Sequence, residues 1–107
     1  MKTILLSLLG IASLASASAD TLAAASINSF GLDLHRRLAA DGGNLVTSPW
    51  SIESALAMTW GGAAGKTKQE MAKVLHFSGD EDAVHAGFAG IAADLQKLAR
   101  ESAERIK

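Results

Sequence analysis

The strongest constraint on this chain is the stretch Asn44–Thr67, NLVTSPWSIESALAMTWGGAAGKT, where a short apolar extended run meets a sharply marked helix start. Leu45 and Val46 favour strand, through apolarity and, at Val46, β-branching. Ser48 suits the N-cap, because its hydroxyl can accept from a free N–H of the first turn. Pro49 suits the first helical position, where its missing N–H costs nothing and its fixed φ already matches a helix. Ile52, Ala55, Leu56 and Trp60, with Met58 on a neighbouring row, then recur at helical spacing. Gly61 and Gly62 close that helix, and the run from Thr67 to Glu70 spells a capping box for the next one.

From its start, the chain places Lys2 before an apolar run, Ile4–Ala15, interrupted only by Ser7, Gly10 and Ser13. Ala17-Ser18-Ala19 supplies the small residues that a signal peptidase needs, so residues 1–19 read as a secretory signal peptide cleaved before Asp20. The run falls short of the roughly 20 apolar residues that span a bilayer. Residues 20–107 are then the mature part. Without Lys2, nine of the ten basic side chains remain against eleven acidic ones, so no basic field exists to hold nucleic acid or an anionic membrane. Cysteine is absent, and an exported domain of this size without disulfides must rely on a marginal hydrophobic core.

Thr21–Ala40 reads as the first mature helix, with Ala23, Ile27, Phe30, Leu34 and Leu38 on one stripe. Arg36 and Arg37 suit its C-terminal end, and Asp41-Gly42-Gly43 stops it. Leu45–Thr47 reads as one short strand, although nothing else in the chain reads as its partner. Lys68–Leu75 makes a short helix with Met71, Val74 and Leu75 inward. Ser78–Asp82 breaks it and supplies caps for a last helix from about Ala83. Val84, Phe88, Ile91, Leu95, Leu98 and Ile106 form the stripe of that helix. Lys97–Glu101, Arg100–Glu104 and Glu101–Arg105 lace its solvated face. The fold class is therefore mostly α, four helices and one short strand.

Little here suggests catalysis. His35, His76 and His85 fall on three different elements, with His76 expected to pack half-buried beside Leu75 and Phe77. No cysteine, H-x-x-x-H or calcium-loop pattern offers metal-ligand spacing, so no metal and no cofactor is expected. Ser48 and Ser51 lack the paired base and oxyanion site of a nucleophile. Gly61–Thr67 has three residues between Gly61 and Gly65 where a phosphate loop needs four, and it follows a helix instead of a strand. The chain is not read as an enzyme, and no catalytic or cofactor-binding residue is assigned.

The ordered pieces N-L-V-x-S-P-x-S-I-x-x-A-L-A-M, G-A-x-G-x-T and Leu75-His76-Phe77 resemble the N-terminal portion of the serpins, a family of serine protease inhibitors. The likeness begins at Asn28-Ser29-Phe30 and Asp33-Leu34 and fades after Phe77. It implies the N-terminal helical part of an α+β fold, truncated before the central sheet and the reactive-centre loop. It also implies a suicide-substrate mechanism. A serine (or cysteine) protease cleaves an exposed loop, which inserts as a strand and traps the acyl-enzyme, driven by strain released from a metastable fold. Asn44, Ser48, Pro49 and Ser51 match the family's shutter, where a hydrogen-bond network must open and reclose; the implied role is structural. Glu53 stands where a small hydroxyl residue is common, and Gly61 where an apolar one is common. Gly61 costs up to about 1 kcal/mol relative to Ala if helical.

In some serpins the helix that corresponds to the last one here carries a basic patch that binds sulfated polysaccharide. Here Lys97, Arg100, Arg105 and Lys107 alternate with Asp94, Glu101 and Glu104, so no polyanion site is expected. Residues 20–107 alone, lacking the bait loop, are expected to fold marginally and not to inhibit; the full-length parent is expected to be monomeric. Localisation is expected to be extracellular, or periplasmic in a bacterium. Two alternatives are a non-inhibitory serpin-like protein and a small secreted helical interaction module.

Overall fold

A computed structural model describes residues 2–107, with side chains from residue 19 onward; the expected leader lies almost wholly outside the fully described part. Four helices follow in order, α1 (Lys2–Ala39), α2 (Pro49–Gly61), α3 (Gly65–Val74) and α4 (Glu81–Arg105). On α1, Ala23, Ser26 and Phe30 are buried at three- and four-residue steps, with Ile27 and Leu34 half-buried. Leu38, at the frayed end of the expected stripe, is 45% exposed. The chain then turns through Gly42, whose N–H bonds to the Ala39 carbonyl at 3.1 Å. Gly42 and Gly43 hold φ of +74° and +91°, conformations that cost other residues.

The expected strand is not formed. Residues 44–48 run without regular structure, and no described segment pairs with them. A β-ladder needs a second strand, and the elements on either side of this run are helices.

α2 starts where the sequence placed it, with Ser48 as N-cap and Pro49 in the first turn, and it ends at Gly61 with Gly62 as C-cap. Its buried face is different from the expected one. Glu53, Ala57 and Trp60 point inward, whereas Ala55 is exposed, Leu56 is half-buried and Met58 is 73% exposed. α3 starts at Gly65, with Ala64 at the N-cap position and no side-chain cap. Thr67 therefore sits inside the first turn and the expected capping box does not form; Glu70 pairs instead with Lys66 at 3.6 Å.

The end of α3 is a Schellman closure. The N–H of Phe77 reaches the Ala72 carbonyl at 2.9 Å and that of His76 reaches the Lys73 carbonyl at 3.3 Å. His76 carries the left-handed backbone of this motif, φ +56°, in the place where glycine is usual. α4 then opens on Asp80, whose Oδ1 accepts from the Ala83 N–H at 2.8 Å, with Glu81 and Asp82 favourable in the first turn.

The core forms where α1 lies along α4 and α2 closes over both. Ala23, Ala57, Trp60, Val84 and Phe88 make its centre, and Ile27, Trp50, Met71, Phe77 and Ile91 pack around it. Small residues set the α1–α4 distance: a Cβ on Gly87 would stand 2.8 Å from Ala23 Cβ and 2.6 Å from the Ala19 carbonyl oxygen. Aromatic rings fill the centre. Trp60 meets Phe77 edge-on at 4.9 Å, Phe77 meets Phe88 edge-on at 5.9 Å, and Trp50 stacks on Phe88 at 5.8 Å. The stripe of α4 is covered only in its first half; Leu95, Leu98 and Ile106 are exposed.

Candidate structural hinge at the start of the second helix

The residues singled out in the sequence meet where α1 crosses the start of α2. Ser48 has extended backbone, φ −117° and ψ 94°, and its Oγ accepts from the Ser51 N–H at 3.4 Å. The two hydroxyls, Ser48 Oγ and Ser51 Oγ, lie 2.9 Å apart in a mutual hydrogen bond. The Pro49 ring rests on Gly31 of α1, where an added Cβ would come within 2.7 Å of its Cγ. Ser48, Pro49 and Ser51 are thus brought together. Asn44 is exposed and makes no hydrogen bond to them among the described residues.

The chemistry available here is capping and packing. The Ser48 and Ser51 hydroxyls are bonded to each other, and that of Ser48 also to backbone; among the described residues no histidine or carboxylate completes a nucleophile–base pair. Among the described residues, no group of three His, Cys, Asp or Glu side chains could hold a metal ion. Among them also, no helix is long and apolar enough to cross a membrane. An open groove of about 940 Å³ lies between α1 and α3, lined in part by Phe30, Leu34, Asp33, Arg37 and His76. No serine or cysteine lines it.

Three arrangements beside the hinge escaped sequence reasoning. His76, expected to pack half-buried, has 39% of its side chain exposed and holds Asp33 of α1 at 2.8 Å through Nε2. The hydrogen bond from His76, with the charges of His76, Arg36 and Arg37, holds the Asp33 carboxyl below its usual pKa. Second, Trp60 Nε1 donates to the Lys68 carbonyl at 3.0 Å while the Lys68 ammonium lies 5.0 Å over the Trp60 ring. Lys68 also pairs with Glu81, whose carboxyl that bond holds below its usual pKa.

Third, Glu53 is fully buried, and neither of its carboxylate oxygens has a hydrogen-bond partner among the described residues. Ser26 faces it from α1, but the Ser26 hydroxyl is committed to the Ala23 carbonyl at 2.9 Å. Burial pushes the Glu53 carboxyl up from 4.5 to about 7, against smaller opposing effects of Ser26 and His76. The one sequence signal for this site was the departure of Glu53 from the expected small hydroxyl residue.

A small-residue crossing, a serine-capped helix start and a set of packed helices make up the described geometry. Residues 25–107 match the family model for Serpin (serine protease inhibitor), and the chain belongs to the serpin family. It is 49% identical over 70 residues to a serpin-like protein of Thermococcus kodakarensis, covering 65% of this chain and 16% of that one. It is 51% identical over 55 residues to the leukocyte elastase inhibitor of Bos taurus, covering 51% of this chain and 14% of the inhibitor. Serpin B10 of Mus musculus is 49% identical over 61 residues, covering 55% and 15% respectively. The chain thus spans about one-sixth of the length of these relatives. No solved structure matches it significantly.

Proposed function

We propose that this chain is the N-terminal portion of an exported serpin-type inhibitor that traps serine (or cysteine) proteases as a suicide substrate. The observation that carries the reading is the family match across residues 25–107, read with the paired hydroxyls of Ser48 and Ser51 at the family's shutter position. In this reading the region is not catalytic. Ser48, Pro49 and Ser51 hold the start of α2 while the sheet above them opens to admit the cleaved loop, and Asn44 joins that network through residues beyond Lys107. The trapping chemistry belongs to the reactive loop and the protease.

The test is to incubate the full-length secreted product with a panel of serine and cysteine proteases and resolve the mixtures under denaturing conditions. A one-to-one adduct resistant to denaturant is the expected result. Cleavage to two fragments with every protease, and no adduct, would reject inhibition and leave a non-inhibitory serpin.

A further inference from the structure

We propose that Glu53 is a proton-gated wedge in the α1–α2 interface: packed dry as the neutral acid, it loosens α1 from α2 when it ionises. The geometry makes the two protonation states unequal. Glu53 is 0% exposed in the centre of the buried face of α2, flanked one turn away by Ala57, and both its oxygens lack partners among the described residues. A neutral carboxyl without partners loses only its own hydrogen bonds to water. An unpaired carboxylate in the same place loses the solvation of a full charge, a far larger penalty.

Among the described residues, the groups that face Glu53 reduce that penalty without removing it. From α1, Ser26 is the facing polar group, and its hydroxyl already donates to Ala23 O. From the turn between α3 and α4, His76 acts on Glu53 by its charge alone, with its ring nitrogen engaged by Asp33 of α1. From α3, Lys68 faces Glu81. From α4, Glu81 and His85 face Lys68, Trp60 and each other. Ionised Glu53 therefore needs a new donor. Either Ser26 must leave its own helix carbonyl and turn toward the carboxylate, or water must enter between α1 and α2. The entry of water separates the two helices just below the capped start of α2.

The sign follows from linkage. A carboxyl that titrates at about 7 when folded and at 4.5 when exposed binds its proton more tightly folded, so the contribution is intact below 4.5 and declines until pH passes 7. With those two values, local opening that exposes Glu53 becomes roughly 70-fold more favourable between pH 5 and pH 8.

The experiment is amide hydrogen exchange of residues 23–30 and 50–60 in the full-length protein, comparing wild type with Glu53→Gln at each pH so that intrinsic exchange cancels. The expected result is a wild-type-to-variant exchange ratio that rises by roughly 70-fold from pH 5 to pH 8. A ratio that stays flat overturns the proposal. A second measurement, which does not depend on the variant folding, follows the Glu53 carboxyl carbon of wild type by NMR through the same pH range. A midpoint near 7 supports the wedge, and a midpoint at or below 5 overturns it.

Discussion

Replacing Gly31 by Ala probes how α1 and α2 are held together at the hinge. The new Cβ would stand 2.7 Å from Pro49 Cγ and 2.9 Å from Pro49 Cβ. Carbon atoms settle at about 3.5 Å or more, so the two helices must part locally by roughly 0.8 Å. The proline ring cannot swing aside, because it is closed onto its own backbone nitrogen and sits in the first turn beside the Ser48 cap. Overpacking of this kind costs about 1–3 kcal/mol. Alanine inside a helix regains about 1 kcal/mol over glycine. The net expectation is a loss of about 0–2 kcal/mol, seen as an unchanged or lowered thermal midpoint of the full-length protein. A double-mutant cycle with Pro49→Gly, which removes both opposing carbons, isolates the contact. The combined loss should fall short of the sum of the single losses by about 1 kcal/mol. If Gly31→Ala is more stable than wild type, or if the two losses simply add, the steric argument fails.

Two further perturbations separate the roles assigned to neighbouring groups. Ser48→Ala removes the acceptor for the Ser51 N–H and should cost about 1 kcal/mol of thermal stability, whereas Ser51→Ala keeps that cap and should cost clearly less. Equal losses would mean that the hydroxyl pair matters and the cap does not. Asp33, held low chiefly by its bond to His76, gives stability that is present above its ordinary pKa of 3.8 and is lost as pH falls through the lowered value. Asp33→Asn should therefore flatten the acid side of the stability profile. An unaltered acid limb would show that the tie to His76 contributes nothing.

What was legible in the sequence was local. Ser48-Pro49 and Gly61-Gly62 bracket α2 because a cap, a first-turn proline and terminal glycines act through their own backbone, whatever lies around them. The stripe of α1 held for Ala23, Ile27, Phe30 and Leu34 for a related reason, since small and large apolar residues there meet a partner helix. Features that depend on a distant partner were misread. Leu45–Thr47 has the composition of a strand and no described strand to pair with. The inward face of α2 was assigned by apolarity, which ranks Ile52 and Met58 above Glu53, yet the position of α1 turns Glu53, Ala57 and Trp60 inward. Thr67 looked like a cap until Gly65 opened α3 two residues earlier. His76 gave no sign of its role, because a histidine in a left-handed closing position stands where glycine would have been the readable signal.

In the function proposed above, this region belongs to a metastable inhibitor, in which the start of α2 holds closed a fold that relaxes once its loop is cut. The direct measurement is the thermal midpoint of the full-length protein before and after a single cleavage by a protease that it does not trap. Insertion of the freed loop predicts that the cleaved form melts at a higher temperature than the intact one. A midpoint that is unchanged or lowered by cleavage would contradict the mechanism, leaving the family fold without the trap.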